Sequence, residues 1–333
     1  MTKPIIRRKL GATNLALSPI GLGCWQFSKG VGMVGKYWPT LEDDVVVEMV
    51  RIALEGGINW FDTAEIYGHG ASEKVLAKAL DTLSVGEEEA QIATKWWPMF
   101  RRASNIPKTI QDRYNCLNGR TIDLYQIHQP FSFSSVKSEM VEMARLYHAG
   151  AIRAVGVSNF SAKAMREADK VLGDFGIRLA SNQVKYSLLD RRIEQNGILE
   201  TAQELGVSII AYSPLEQGLL SGKFHRKPEL AAALGAPRKW QSGFKPAGLA
   251  KSLPLIELLE QLALKYEVST SQVALNALIY LHGETIFAIP GGSKLHHVEE
   301  NVGALTFRLT EEEIQQISVM SLRVLRKGVI AND

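Results

Sequence analysis

Asp62 and Tyr67 stand five residues apart in the stretch Phe61-Asp62-Thr63-Ala64-Glu65-Ile66-Tyr67-Gly68-His69-Gly70-Ala71-Ser72-Glu73, where the apolar run Ile58-Asn59-Trp60-Phe61 stops at an acid. A strand ending there, followed by a helical pattern from Ser72 to Leu83, places carboxylate and phenol on one strand-to-helix loop. Loops of that kind carry active sites in α/β proteins. A phenol has an unperturbed pKa of about 10, so it becomes a useful general acid where a cation lowers that value. The run Ala90-Gln91-Ile92-Ala93-Thr94 ends in such a cation, Lys95, and the run Ile122-Asp123-Leu124-Tyr125-Gln126-Ile127 ends in His128. Four groups able to hold or move a proton thus sit at the ends of three successive strand-like runs.

Positioning them requires a repeating scaffold, and the chain supplies one. After Pro19-Ile20-Gly21-Leu22-Gly23-Cys24-Trp25, strand-like runs recur at Ile58 to Phe61, Ala90 to Thr94, Ile122 to His128, Ala154 to Ser158, Leu179 to Gln183, Ser208 to Tyr212 and Thr285 to Ile289, each followed by a helical stretch. Eight such units are what a closed parallel barrel needs. Ahead of them Arg8 to Gly11 and Leu15 to Leu17 flank a short turn in which Gly11 and Asn14 can supply the bend. Thr40 with Asp43, Ser269 with Gln272 and Thr310 with Glu313 read as helix N-caps with an acceptor three residues on. From Leu41 to Leu54 the positions Val46, Met49, Val50 and Ala53 form a packing stripe. Two insertions, Ser28 to Pro39 and Glu216 to Pro254, interrupt the pattern and are expected over the barrel mouth.

In this order and setting Asp62, Tyr67, Lys95 and His128 resemble the catalytic tetrad of the aldo-keto reductase superfamily. The similarity runs from about Leu10 to Leu322. It is also carried by Gly156-Val157-Ser158-Asn159-Phe160, Ala211-Tyr212-Ser213-Pro214-Leu215 and Ile289-Pro290-Gly291-Gly292-Ser293 with Glu300-Asn301. The resemblance implies a (β/α)8 barrel over residues 1–333 as one domain, plugged at its base by the hairpin and carrying long loops at its C-terminal mouth. It implies an enzyme reducing an aldehyde or ketone with NADPH, NADH being the weaker alternative. Tyr67 would be the general acid, Lys95 would lower its pKa, Asp62 would hold Lys95, and His128 would orient the carbonyl oxygen.

No Gly-x-Gly-x-x-Gly fingerprint is present, so the cofactor would not sit in a Rossmann domain. The resemblance places it across the barrel mouth instead. Ser158, Asn159 and Gln183 would hydrogen-bond the carboxamide and Tyr212 would stack on the nicotinamide, with Gly23, Cys24, Trp25 and Asp62 bordering that end. Ser213, Pro214, Leu215, Gln217, Gly218 and Lys223 would wrap the pyrophosphate. Gly291, Ser293, Lys294, His297, Glu300 and Asn301 would surround the adenosine. Many members place a lysine after the Ile-Pro pair and an arginine further along to hold a 2′-phosphate; here those positions are Gly291 and His297. An NADPH preference then rests on Ser293, Lys294, His296 and His297, and should weaken as the histidines deprotonate above pH ~6.5.

Trp25, Trp38, Trp96, Trp97 and Phe100 suggest an aromatic-lined substrate pocket. Its walls are expected from Ser28 to Pro39, Trp96 to Arg102, Gln129 to Ser135, Glu216 to Pro254 and the tail after Leu325. Composition narrows the alternatives. A formal net charge of +3 comes from scattered residues, and the short clusters Arg7-Arg8-Lys9, Arg101-Arg102 and Arg191-Arg192 read as solvated surface, with no nucleic-acid role. Cys24 and Cys116 form neither a Cys-x-x-Cys nor a metal-ligand spacing, which suits a reducing compartment without a metal. No run is long enough to span a membrane and no signal peptide is evident, so a cytoplasmic protein with a small-molecule partner is expected. The second function class is a regulatory sensor resembling the potassium-channel β subunits, which retain barrel and cofactor site; with no extension ahead of the hairpin, the enzyme is favoured.

Overall fold

The computed structural model describes residues 6–235 and 238–326. The chain opens with an antiparallel hairpin of β1 (Arg8–Lys9) and β2 (Ala16–Leu17). Eight parallel strands follow in sequential order: β3 (Leu22–Gly23), β4 (Trp60–Asp62), β5 (Gln91–Trp96), β6 (Leu124–Ile127), β7 (Ala154–Ser158), β8 (Ser181–Lys185), β9 (Ser208–Tyr212) and β10 (Ile286–Ile289). Parallel bridges Ile20 to Ala288 and Gly23 to Gly291 join the first strand to the last, so the expected (β/α)8 barrel is the observed fold. Among the described residues no helix is long and apolar enough to cross a membrane.

Strand parity explains both the core and the site. Side chains alternate across a strand, and the inward positions near the barrel base, Trp60, Ala93, Leu124, Ala154, Ile210 and Phe287, pack together with Leu10 and Leu17 from the hairpin. Continuing upward by twos reaches Asp62, Lys95, Gln126 and His128. The outward positions Phe61, Ile92, Tyr125, Val155 and Ile209 join the layer under the surrounding helices. Gly156 is needed inside because a methyl there would stand 2.7 Å from Ser181 Oγ and 2.9 Å from Gln126 Cγ.

Several local expectations change. Gly11 turns the hairpin at φ 54, but the second turn element is Thr13, whose hydroxyl donates to Leu10 O at 2.7 Å, rather than Asn14. The reciprocal caps at Ser269/Gln272 and Thr310/Glu313 form. The one at Thr40 does not: the helix Asp43–Glu55 begins after Glu42 without a side-chain cap, and Asp43 instead pairs with Lys29 and Lys78. Its stripe of Val46, Met49, Val50 and Ala53 is buried as expected. The second insertion ends earlier than expected, because Pro254 lies inside the helix Pro246–Tyr266, which packs on the helix Glu311–Arg326 around a separate apolar cluster. Residues 327–333 of the tail lie outside the described residues.

Two of the arginines expected at the surface are buried. Arg8 donates to Ile279 O and Ile286 O at 2.8 and 3.1 Å. Arg191 donates to both oxygens of Glu194 and to Ser318 O at 2.9 Å, fastening the segment after β8 to the last helix. Glu194 also accepts from Tyr186 and contacts His282. Burial alone would raise its pKa, yet His282, Arg191 and Tyr186 together bring it down to about 2. Arg191→Met should therefore destabilise the protein by about 3 kcal/mol, as breaking a buried pair does. Glu194 has a folded pKa below its unfolded value of about 4.3, so its contribution is present above pH ~4.3 and is lost as pH falls toward ~2. Urea titrations at pH 7 and pH 3 should show the variant closer to wild type at the lower pH.

Candidate active site

Lys95 lies on β5 with its side chain inside the barrel and no solvent exposure. Its Nζ is 2.5 Å from Asp62 Oδ1 and donates to Thr63 O at 2.8 Å. The other Asp62 oxygen accepts from Gln183 Nε2 at 2.8 Å and Gln126 Nε2 at 3.2 Å. The Lys95 ammonium sits 5.0 Å from the centroid of the Tyr67 ring. Tyr67 meets His128 edge to face at 5.8 Å, and His128 meets Trp97 likewise at 5.2 Å. Asp62, Tyr67, Lys95 and His128, three strand ends apart in sequence, are thus brought into one group.

Burial sets the electrostatics. It opposes the charge on Lys95, but Asp62 and Tyr67 prevail and hold the ammonium above the ordinary lysine value. Burial raises the Tyr67 pKa above that of a free phenol, and Lys95 pulls it the other way without reversing the shift. The expectation of a Tyr67 pKa below free tyrosine is therefore overturned in the free protein: desolvation outweighs the cation. Burial, reinforced by Lys95, holds His128 well below the usual histidine value, so it is neutral near pH 7. Its Nδ1 is buried without a hydrogen-bond partner, which leaves Nε2 to meet a ligand.

A cavity of about 1160 Å³ opens from this group across the barrel mouth. That exceeds the 300–1,000 Å³ of common small-ligand pockets and suits a dinucleotide beside a small second molecule. Of the residues expected at a cofactor, Gly23, Cys24, Trp25, Asp62, Ser158, Asn159, Gln183, Tyr212, Ser213, Pro214, Leu215, Gln217, Gly218, Lys223, Gly291, Ser293, His297, Glu300 and Asn301 line it. Lys294 does not; it is exposed, at the residue before the helix Leu295–Gly303. The groups expected at the carboxamide and nicotinamide are already joined: Ser158 Oγ donates to Gln183 O at 2.8 Å, Asn159 Nδ2 to Ser158 Oγ at 3.1 Å, and Tyr212 OH to Asn159 Oδ1 at 3.2 Å.

Chemistry of the wall fits an acceptor-rich anion. Lys223 and Arg238 line the cavity and make no ion pair among the described residues, and both have lowered pKa values, through burial and, for Lys223, through Arg238 and Lys294. Arg238 Nε and Asn301 Nδ2 are buried donors without partners. Ser213, Glu216, Gln217 and Gly218 hold positive φ along one loop, backbone strain of the kind that accumulates at binding sites. His297 behaves differently from expectation. Its Nδ1 accepts from Ser293 N at 3.2 Å, and burial, with the charges nearby, brings its pKa to about 4. In the free protein it is neutral from pH 6 to 8, so it holds no standing positive charge ready for a phosphate there.

The wall beside Tyr67 and His128, expected to face a substrate, is aromatic, though not all the expected residues form it. Trp25, Tyr37, Trp38 and Trp97 line the cavity, and Trp25 stacks between Tyr37 and Tyr67 at 4.8 and 6.0 Å. Trp96 instead points outward into the helical layer, because it follows the inward Lys95, and Phe100 is 80% exposed. Residues not singled out from the sequence also contribute. Gln126 was legible as the inward neighbour two before His128. Gln26, whose amide occupies the space a side chain at Gly291 would need, and Arg238, over the Trp38 ring at 5.2 Å, carried no sequence signal.

The family model described as "Aldo/keto reductase family" matches residues 19–321. An uncharacterized oxidoreductase of Mycobacterium tuberculosis is 35% identical over 300 residues, covering 89% of this chain and 87% of that protein. A chloroplastic pyridoxal reductase of Arabidopsis thaliana is 31% identical over 322 residues, covering 93% and 85%. The solved structure of a glycerol dehydrogenase from Gluconobacter oxydans superposes with a TM-score of 0.81 at 29% identity, covering 96% of this chain and 95% of that one.

The Asp62–Lys95 pair makes a stability prediction independent of any reaction. Lys95→Met strands a buried carboxylate and should cost about 3–5 kcal/mol, as Asp62→Leu should by stranding the ammonium. The double variant should recover most of the loss. Denaturant midpoints of the four proteins check this, and simple additivity of the two losses would refute the coupling.

Proposed function

This chain belongs to the aldo/keto reductase family, and on that premise we propose that it reduces an aldehyde or ketone to the alcohol with NADPH, Tyr67 being the general acid. The observation that carries the reading is the Tyr67 ring held beside a fully buried Lys95–Asp62 pair and against neutral His128, at one wall of a cavity large enough for a dinucleotide. When bound, the reduced nicotinamide supplies the hydride to the carbonyl carbon. The chain's own residues do the rest. Tyr67 donates its proton to the developing alkoxide, and Lys95 compensates the charge left on the phenolate. Asp62 keeps Lys95 in place and charged. His128, neutral and with Nε2 toward the cavity, donates to the carbonyl oxygen and orients it. Ser158, Asn159 and Gln183 hold the carboxamide, Tyr212 the ring, and Lys223 the pyrophosphate. Trp25, Trp38 and Trp97 keep the reacting groups dry.

An aromatic aldehyde is the first substrate to assay. The cavity walls support it, as does the likeness to a pyridoxal reductase. NADPH is preferred on the strength of Ser293 and Lys294 near the adenosine end, Lys294 acting from outside the cavity wall.

Tyr67→Phe should bind reduced cofactor normally and lose about 10²-fold or more in kcat/KM. Because burial holds the Tyr67 pKa above that of free tyrosine, wild-type reduction should stay level from neutral pH to about pH 9 and fall only in the ordinary tyrosine range or beyond. A Tyr67→Phe enzyme retaining a tenth of the activity, or a limb falling near pH 8 with chemistry rate-limiting, would remove Tyr67 from this role.

Fluorescence titration of both reduced cofactors tests the preference. Lys223→Ala should weaken NADPH and NADH alike, by about tenfold, whereas Lys294→Ala should weaken NADPH only. With His297 neutral in the free protein, His297→Gln should leave the change in the ratio of the two affinities between pH 6 and 8 within about twofold of the wild-type change. Equal or tighter binding of NADH by the unmutated protein would overturn the NADPH assignment.

A further inference from the structure

Between Asp62 and Tyr67 the loop turns one acid the other way. Ile66 and Tyr67 line the cavity, whereas Glu65 does not. Its backbone N donates to Lys95 O at 3.2 Å, its Oε2 accepts from Trp97 N at 3.1 Å, and its Oε1 pairs with Arg101 Nη1 at 2.6 Å. The carboxylate is only 12% exposed. A carboxylate withdrawn that far from water is retained for the partners it satisfies. Here one partner is the backbone at the start of the next strand-to-helix loop, immediately beyond the end of β5.

Trp97 matters because of what its ring touches. The indole packs edge to face on His128 at 5.2 Å and on Phe131 at 5.6 Å. An imidazole that must present one nitrogen is usually fixed by a hydrogen bond to the other. His128 lacks that device, since its Nδ1 is buried with no partner. The rings of Tyr67 and Trp97, at 83° and 80° to its plane, enclose it instead. Tyr67 is a member of the reacting group, so Trp97 is the part of this cage that a residue outside the cavity can hold.

We propose that Glu65 is a positioning residue for carbonyl reduction: by accepting from the Trp97 N–H it fixes the indole that keeps His128 aligned with Tyr67. The proposal rests on the reading of Tyr67 and His128 as the groups that meet the carbonyl oxygen. No proton passes through Glu65. Its carboxylate stays paired with Arg101, and its effect reaches the substrate through Trp97. Losing the tether therefore loosens the hold on the carbonyl and leaves the distant cofactor contacts alone.

The test is a set of variants of the full chain assayed with an aromatic aldehyde and reduced cofactor. Glu65→Met keeps the volume and removes both acceptors; it should lose about tenfold or more in kcat/KM, as small misplacements at a reacting centre do, with cofactor affinity within about twofold of wild type. Glu65→Gln still offers an amide oxygen to Trp97 N, and Arg101→Met leaves the tether whole; each should keep at least about a third of kcat/KM. In a Trp97→Ala background, Glu65→Met should add less than about twofold, because both changes cut one connection. Glu65→Asp covers the case in which Glu65→Met does not fold: it is one methylene short of its partners and should lose about three- to tenfold. Full activity in Glu65→Asp, additivity with Trp97→Ala, or cofactor affinity falling in step with activity would overturn the proposal, the last being what general loss of structure gives. Tyr67→Phe in the same series separates the two readings. Retained activity there defeats the reaction assignment, while an inactive Tyr67→Phe beside a fully active, folded Glu65→Met defeats the tether alone.

Discussion

An ammonium at the centre of a barrel, out of reach of water, keeps its charge only if a carboxylate meets it. Lys95 has Asp62 at 2.5 Å, and the arrangement at the mouth follows from that contact. Asp62 has one oxygen left, and Gln126 and Gln183 share it. The Gln183 backbone oxygen then takes Ser158, Ser158 takes Asn159, and Asn159 takes Tyr212. One ion pair thereby organises side chains from β4 to β9 around the barrel. On the proposed reading, groups that compensate charge in the reaction and groups that grip the cofactor belong to one connected network, so moving either end strains the other.

Desolvation decides the proton chemistry of these groups. Counting charges in the sequence suggests that a lysine beside a tyrosine lowers the tyrosine pKa, and Lys95 does act in that direction. The barrel interior acts more strongly in the other. It makes His128 a neutral ring and keeps Tyr67 protonated well into the alkaline range, while partial burial at the mouth, with His296, Lys223 and Lys294 nearby, leaves His297 uncharged near neutrality. On the proposed reading, a protonated phenol beside a charged ammonium is the resting state that reduction needs, since the tyrosine must arrive at the carbonyl with its proton.

The two insertions meet over this floor. Tyr37, from the first, donates to Gln217 Oε1 at 2.6 Å, and Arg238, from the second, donates to Gln217 O at 2.7 Å while lying over the Trp38 ring. Gln217 itself sits at φ 55. A strained residue clasped from both sides links the wall of the aromatic pocket to the loop expected around the pyrophosphate, so the shapes of the two compartments are mechanically joined.

Much of this was legible before folding. A period of two places Trp60 and Asp62 on one side of a strand, and Leu124, Gln126 and His128 on one side of another. A polar residue at the end of each such series then points to the barrel mouth. The gathering of Asp62, Lys95 and His128 at the mouth, the strand count and the packing stripe of the helix Asp43–Glu55 could be read that way, because they depend on local periodicity and on one repeated topology; Tyr67, on the loop after β4, was placed with them by the family resemblance. Trp96 shows the limit of reading by proximity: adjacency to Lys95 suggested a pocket wall, while parity sends it to the opposite face. The burial of Arg191, the side chain of Gln26 beside Gly291, the hold of Glu65 on Trp97 and the neutrality of His297 were decided only by the tertiary structure. Each depends on which distant residues are brought within a few ångströms and how completely they exclude water, and neither distance nor dielectric is a property of a linear neighbourhood.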